Sequence, residues 1–180
     1  MVSEQLPSRN QAVEFLKQSG CPKNVIRHCR VVAELAKEIA QECQKKGLTV
    51  NVDLVEIGAL MHDVGRSRTH TVNHAVMGAE IARSFGLPEP VLSIIKRHVG
   101  GGITSSEARR LGWPRGVYVP QTLEEKIVCY SDKLIEGSQR VPFEKTLKSF
   151  SNDMPMPAVR RIQKLHDEMI RLIGDSQCLP

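Results

Sequence analysis

The sequence predicts an all-α, single-domain protein, and three observations carry that prediction. Apolar residues recur at helical spacing along most of the 180 residues. Capping signals and glycine or proline stops divide those stripes into segments of helical length. No alternation of apolar and polar residues runs long enough for a sheet, and only Val117-Tyr118-Val119 reads as a short extended piece. The length suits one domain with a sizeable core. Aromatic residues make up only 4% of the chain, so packing must rest on Ala, Val, Ile, Leu and Met.

The elements follow in order. Ser8 and Gln11 form a capping box before Ala12, Phe15 and Leu16, and Gly20 ends that helix. A long helix after Pro22 carries Val25, Cys29, Val32, Ala36, Ile39 and Cys43 on one face and stops at Gly47. Asp53 and Glu56 open a third, apolar helix through Val55 and Leu60 to His62-Asp63, with Gly65 marking its stop. Asn73 reads as the N-cap of a helix that starts at His74 and runs through Val76, Ala79 and Phe85 to Gly86. Pro88 to Val99 forms the next, closed by His98 and followed by Gly100, Gly101 and Gly102. Thr104 with Glu107, and Thr122 with Glu125, start two more, the second a largely buried helix with Ile127, Val128, Ser131 and Leu134. Pro155 and Pro157 set off a last helix, Ala158 to Ile173. Its face of Val159, Ile162, Leu165, Met169 and Leu172 either closes the core or pairs two subunits as a homodimer. This divides the single domain into a core at 22–137, an insert at 100–121 and C-terminal helices at 142–180.

Ionisable residues interrupt this apolar pattern at intervals: His28, His62-Asp63, His74, His98 and Asp132, with His70 in a loop between. The adjacent pair sits where a helix ends, so the chain can turn and aim both side chains at one point. An imidazole beside a carboxylate offers one neutral and one anionic ligand. Alone, the dipeptide says little: His166-Asp167 repeats it in a charged helix, where we read His166 as surface. His28 lies beside an apolar stripe, and a core histidine with hydrogen-bonded ring nitrogens is the plainer account of it. Asp132 interrupts a buried helix, and a buried carboxylate costs roughly several kcal/mol unless a cation or good hydrogen bonds offset it.

His28, then His62-Asp63, then Asp132 resembles the H…HD…D signature of the HD superfamily of metal-dependent phosphohydrolases, over about Pro22 to Gly137. The segments His74 to Ala82, Ile95 to His98 and Leu123 to Leu134 are similar to a narrower branch, that of HD-type dinucleoside tetraphosphate hydrolases and small archaeal HD proteins. The resemblance implies an HD-type helical bundle. It implies that His28, His62, Asp63 and Asp132 bind a first metal, that His74 and His98 bind a second, and that Asp63 bridges them. Arg66 stands where relatives often carry lysine, and the resemblance gives it a catalytic contact to a phosphate oxygen, for which its planar fork is suited. The insert from Gly100 to Gln121 is longer than the resemblance leads one to expect.

The donor set supports the same chemistry independently. Two metals about 3.5 to 4 Å apart activate water near neutral pH and offset charge on a phosphoryl oxygen, so no serine or cysteine nucleophile is needed. Arg66 and Lys133 would bind the substrate and balance its negative charge. Mixed nitrogen and oxygen ligation suits one or two divalent transition metals (Mn, Fe, Co, Ni or Zn) better than Mg. The expected function is phosphohydrolysis of a small, phosphorylated, nucleotide-like ester or anhydride. The alternatives are a non-catalytic metal- or nucleotide-binding regulatory module and oxidative chemistry at a di-iron centre.

With 25 basic and 20 acidic residues the net charge is +5, a mild preference for anionic partners. Basic residues gather at Arg66 and Arg68, at Lys96 and Arg97, at Arg109, Arg110 and Arg115, and at Arg160, Arg161 and Lys164. No aromatic ladder interleaves them, which argues against nucleic acid as a partner. Five cysteines, Cys21, Cys29, Cys43, Cys129 and Cys178, show no C-x-x-C, and we expect reduced thiols and a cytoplasmic protein. No signal peptide or bilayer-length stretch is visible, so no membrane partner is expected. In the insert, Trp113 and Tyr118 form either a flap that stacks a nucleobase, hinged at the three glycines, or a packed Ω-like loop over the core.

Overall fold

The computed structural model describes residues 5–174. Nine α-helices are found among them: α1 (Arg9–Gln18), α2 (Lys23–Lys45), α3 (Val52–Met61), α4 (His74–Ser84), α5 (Glu89–Arg97), α6 (Ser105–Arg110), α7 (Leu123–Lys133), α8 (Phe143–Asp153) and α9 (Met156–Ile173). A 3₁₀ turn, Val64–Ser67, joins α3 to α4, and a hairpin of β1 (Ile135–Glu136) and β2 (Gln139–Arg140) joins α7 to α8. The fold is therefore the all-α single domain that the periodicity predicts. The capping boxes at Ser8, Thr104 and Thr122 all form. Cys178 lies outside the described residues.

The core forms where α2 packs on α3, α7 and α9, and α3 packs on α1, α5 and α7. Central α3 is buried from Val55 to Met61, all the way round, as its unbroken apolar run requires. Gly58 makes the packing possible: a Cβ there would lie 2.4 Å from Ile94 Cδ1, so α3 and α5 meet at a glycine. Gly65 acts in the same way. It is not the helix stop the sequence suggests, because α3 has already ended and Gly65 lies within the 3₁₀ turn. A Cβ on Gly65 would sit 1.9 Å from the His74 carbonyl oxygen, so this residue seats the turn on α4.

Several local expectations change. Asn51, rather than Asp53, caps α3, its Oδ1 accepting from Leu54 N at 3.0 Å. Glu56 is buried and ion-paired to Arg9 at 2.5 Å and Lys37 at 2.7 Å. Asn73 caps nothing with its side chain, and its Oδ1 accepts from Trp113 Nε1 at 2.8 Å. The helix expected from Pro88 to Val99 spans Glu89–Arg97, and the last helix starts at Met156 with Pro157 in its first turn, where a missing N–H does no harm. The β1–β2 hairpin was not legible, since two residues per strand leave no alternation to read. His166 is half-buried rather than simply exposed: its ring stacks on Phe143 at 3.7 Å, and Nδ1 lies 2.8 Å from the Tyr130 hydroxyl. The apolar face of α9 is buried within the chain, through Ala158, Val159, Ile162, Leu165, Met169 and Ile173.

The insert is fastened at both ends. Ile103 N donates to Tyr118 O at 2.9 Å, giving the expected extended piece a partner. Arg161 of α9 donates to Gly102 O at 3.1 Å and reaches Glu107 at 2.9 Å. Gly101 lies so close to α9 that a Cβ would be 2.7 Å from Ile162 N. Gly100 and Gly102 have φ of 58° and 93°, so the three glycines serve turns and close approach.

Candidate metal centre

Four helix ends deliver the ionisable residues to one place. His62 is the C-terminal cap of α3 and Asp63 follows it with φ −102° and ψ 14°, so the chain leaves the helix and the two side chains turn to the same side. His74 begins α4, His98 caps the end of α5, and Asp132 lies in the last turn of α7. His28, one turn into α2, completes the group. The residues the sequence singled out do converge. His28 Nε2 lies 3.0 Å from Asp132 Oδ1 and 4.0 Å from Asp63 Oδ2. His62 Nε2 lies 3.5 Å from Asp132 Oδ1 and 3.7 Å from Asp63 Oδ2. On the other side, Asp63 Oδ1 lies 3.1 Å from His74 Nε2 and 3.5 Å from His98 Nε2.

The second ring nitrogen of each histidine explains what these distances mean. His28 Nδ1 lies 2.8 Å from Gly137 O, His62 Nδ1 2.6 Å from Ala59 O, His74 Nδ1 2.6 Å from Thr71 O, and His98 Nδ1 2.7 Å from Ile95 O. A carbonyl only accepts, so each Nδ1 carries a proton, and in the neutral form of such a ring the lone pair lies on Nε2, the atom that faces the centre. His74 Nε2 and His98 Nε2 are 3.0 Å apart, two lone pairs face to face. Asp63 Oδ1 and His62 Nε2 are buried without a hydrogen bond, although nitrogens and oxygens surround them. Lone pairs pointed at lone pairs repel unless a cation lies between them, and main-chain carbonyls that hold metal-binding imidazoles by the far nitrogen are the usual support for such ligands. The arrangement fits a divalent metal. Two overlapping donor groups, His28-His62-Asp132 and His62-Asp63-His98, each have their ligand atoms within 4.8 Å of one another.

Electrostatics agree. Burial, together with the neighbouring His62 and His74 and against the opposing pull of Asp63, holds the His98 imidazole down at about 4, so it is neutral at pH 7. Burial pushes Asp63 up, but His62, His74 and His98 around it more than compensate and keep it well below the usual carboxylate range. Asp132 behaves alike, burial being overcome chiefly by Lys133 and then by His28 and His62. Burial would lower His28, yet the hydrogen bond and charge of Asp132 raise it.

Two cations stand against the carboxylates. Arg66 Nε donates to Asp63 Oδ2 at 2.5 Å. Lys133 is buried, its Nζ donating to Asp132 Oδ2 and, at 3.2 Å, to His98 O. The sequence does not foretell this second contact, which ties the ends of α5 and α7 together. A cavity of about 770 Å³ opens beside the cluster, within the range of small-molecule sites. His28, Asp63, Arg66, His70, His74, His98, Asp132 and Lys133 line it, together with residues of the hairpin and α8. Trp113 and Tyr118 do not line it; their rings meet edge to face at 4.8 Å within the insert, where Tyr118 is buried. A larger groove of about 1350 Å³, between α1 and the α4–α5 turn, holds none of these residues.

Residues 25–136, more than half of the chain, match the HD domain family. The chain belongs to that family. An uncharacterized protein of Methanocaldococcus jannaschii is 45% identical to this HD protein over 91% of this chain and 97% of its own length. The tRNA (cytidine(56)-2'-O)-methyltransferase of Picrophilus torridus is 35% identical over 94% of this chain but only 48% of its own length, so the chain spans about half of that relative. Among solved structures, the HD domain of the Listeria monocytogenes phosphodiesterase PgpH, in complex with cyclic-di-AMP, aligns with a TM-score of 0.55 and 17% identity, covering 93% of this chain and 98% of that one. That likeness establishes the shared fold. No helix among the described residues is long and apolar enough to cross a membrane.

Proposed function

We propose that this HD protein is a metal-dependent phosphohydrolase acting on a small, nucleotide-like phosphate ester or anhydride. The observation that carries the reading is the set of four imidazoles, each held by a main-chain carbonyl at Nδ1 and turning Nε2 toward two carboxylates. His28, His62, Asp63 and Asp132 would hold one divalent ion, and His74, His98 and Asp63 a second. Such ions, when bound, supply Lewis acidity at a phosphoryl oxygen and a nucleophile from water near neutral pH. The chain's own residues do the rest. Asp63 stays anionic and, through its two oxygens, faces both halves of the donor set. Arg66 uses its Nε on Asp63 and lines the cavity, where its guanidinium would bind a substrate phosphate. Lys133, committed to Asp132 and His98, neutralises the buried carboxylate and fixes the ends of two helices. His70, on the exposed loop at the cavity edge, faces the substrate side.

The PgpH relative is a phosphodiesterase whose HD domain binds a cyclic dinucleotide, which supports phosphoester chemistry on nucleotides. The relatives described above do not separate the dinucleoside tetraphosphate branch from others, and that finer placement remains part of this proposal. A second reading, phosphoester hydrolysis on RNA, draws support from the relative twice as long, whose name, a tRNA methyltransferase, gives RNA as its substrate. The test is metal analysis of protein purified without chelator, followed by phosphate-release assays on mononucleotides, dinucleotides and short RNA in Mn, Fe, Co, Ni, Zn and Mg. Bound metal and turnover that are both lost in His62→Ala support the proposal. Metal-free wild-type protein, or turnover untouched in that variant, overturns it, and cleavage of RNA alone favours the second reading.

A further inference from the structure

Helix α8 lies beyond the residues that match the family, yet it contributes lining to the cavity beside the cluster. Lys145, Thr146, Ser149 and Phe150 of α8, with Met154 just after it, all line the cavity. The helix is tied directly to the metal-bearing helix: Thr146 Oγ1 donates to Lys133 O at 2.6 Å, one residue past Asp132. Met154 Cε lies beside Gly100, near the end of α5 that carries His98; a Cβ on that glycine would meet it at 3.4 Å. This lining is therefore registered against the cluster. Its chemistry is divided. Phe150 and Met154, four residues apart at the end of α8, give the cavity apolar lining, whereas Lys145 and Arg27 are exposed cations at its rim. Lys145 pairs there with Glu136 at 2.5 Å; Arg27 has no ion-pair partner among the described residues.

We propose that α8 supplies the specificity-determining contacts of the cavity: Phe150 and Met154 receive the base of the substrate, and Arg27 with Lys145 hold anionic charge at the rim, so that the base and not the phosphate alone decides what binds. An apolar surface near an anion site rewards a flat, poorly hydrated ring carried on a phosphorylated sugar. This inference rests on the phosphohydrolase reading and adds the source of selectivity in the same cavity.

Adenosine 5'-monophosphate and ribose 5-phosphate share the phosphate and sugar and differ in the base. Their equilibrium binding to the full chain is measured by calorimetry, with inorganic phosphate as a third probe. Wild type is expected to bind the nucleotide at least about 10-fold more tightly than ribose 5-phosphate, as base stacking alone is worth roughly 1–3 kcal/mol. Phe150→Ala and Met154→Ala should each erase most of that preference and leave inorganic phosphate binding unchanged. Phe150→Leu, which keeps an apolar contact with the core, and Lys145→Gln on the exposed rim guard against loss of folding, which circular dichroism would show. Lys145→Gln should weaken the nucleotide several-fold. Equal wild-type affinity for the two esters, with turnover intact, overturns the role of α8 and leaves the phosphohydrolase reading standing. Failure to bind any of the three probes, with metal bound, overturns both.

Discussion

His62-Asp63 and His166-Asp167 are the same dipeptide in the same order, and the structure gives them different environments. The first pair stands at the end of α3, where the backbone departs from helical geometry and both side chains point into a cluster of buried donors. The second lies within α9, where successive side chains diverge by about 100°. His166 turns inward to stack on Phe143, and exposed Asp167 accepts from Gln163 Nε2 at 2.8 Å, one turn back on the same helix. The difference teaches that a His-Asp pair becomes a ligand pair through its place at a helix end. His166 has its hydrogen bond, to the Tyr130 hydroxyl; His62 Nε2 has none.

The sharpest way to break the comparison is to remove each pair in turn. Asp63→Ala should abolish bound metal and lower turnover by at least about 100-fold, since several kcal/mol of charge stabilisation disappear with the ions. Metal analysis and initial rates check this, and Asp167→Ala should change neither. Next, Gly65→Ala places a methyl 1.9 Å from the His74 carbonyl, with backbone as the obstacle. We expect a loss of about 3 kcal/mol or more in a urea titration, because the turn that carries Asp63 cannot reseat on α4.

Acid should act more strongly on the first pair's surroundings than on the second, where burial also lowers His166. In chelator-treated protein His98 is held at about 4, against 6.5 in the unfolded chain. Between those values the unfolded chain binds a proton that the folded one refuses, so this contribution is complete above 6.5 and is lost as the pH falls toward 4, by roughly 3 kcal/mol. His28, whose value is raised, acts with the opposite sign and at higher pH. As the pH is lowered from 7 to 4, urea midpoints should fall steeply in wild type and less so in His98→Asn. A smaller effect is expected at the second pair: His166→Ala removes one hydrogen bond of the Tyr130 hydroxyl and the ring stacked on Phe143, costing about 1–3 kcal/mol with turnover unchanged. Smallest is Glu38→Gln, which weakens the ion pair of Arg140 that holds the hairpin on α2. Exposed pairs of this kind contribute about 0.2–1 kcal/mol, so thermal unfolding should shift only slightly.

Much of this was legible along the chain. The capping boxes, the long stripe from Val25 to Cys43 and the unbroken run before His62 required no tertiary information, because each is a contact within a few residues. The six expected ligands could be named because His28, His62-Asp63 and Asp132 match the H…HD…D signature, and the same resemblance extends to His74 and His98. Other features were hidden for an equally physical reason. Gly65 read as a stop because glycine usually is one, and only the approach of α4 shows that its missing side chain is the point. Asn73 read as a cap until Trp113, 40 residues away, claimed its oxygen. His166 read as surface amid Lys164, Asp167 and Glu168, and Phase of the helix against Phe143 decided otherwise.

The sequence by itself determined the helices, their order and the residue types able to hold an ion, since these follow from local periodicity and from where polar groups interrupt it. Tertiary structure alone decided which nitrogen of each histidine faces the centre, because the carbonyls of Gly137, Ala59, Thr71 and Ile95 take the other proton. It also decided that Lys133 is buried against Asp132 and His98, and that α8 helps line the cavity. Distances across the fold depend on how separate helices pack, and packing is a property of all of them together.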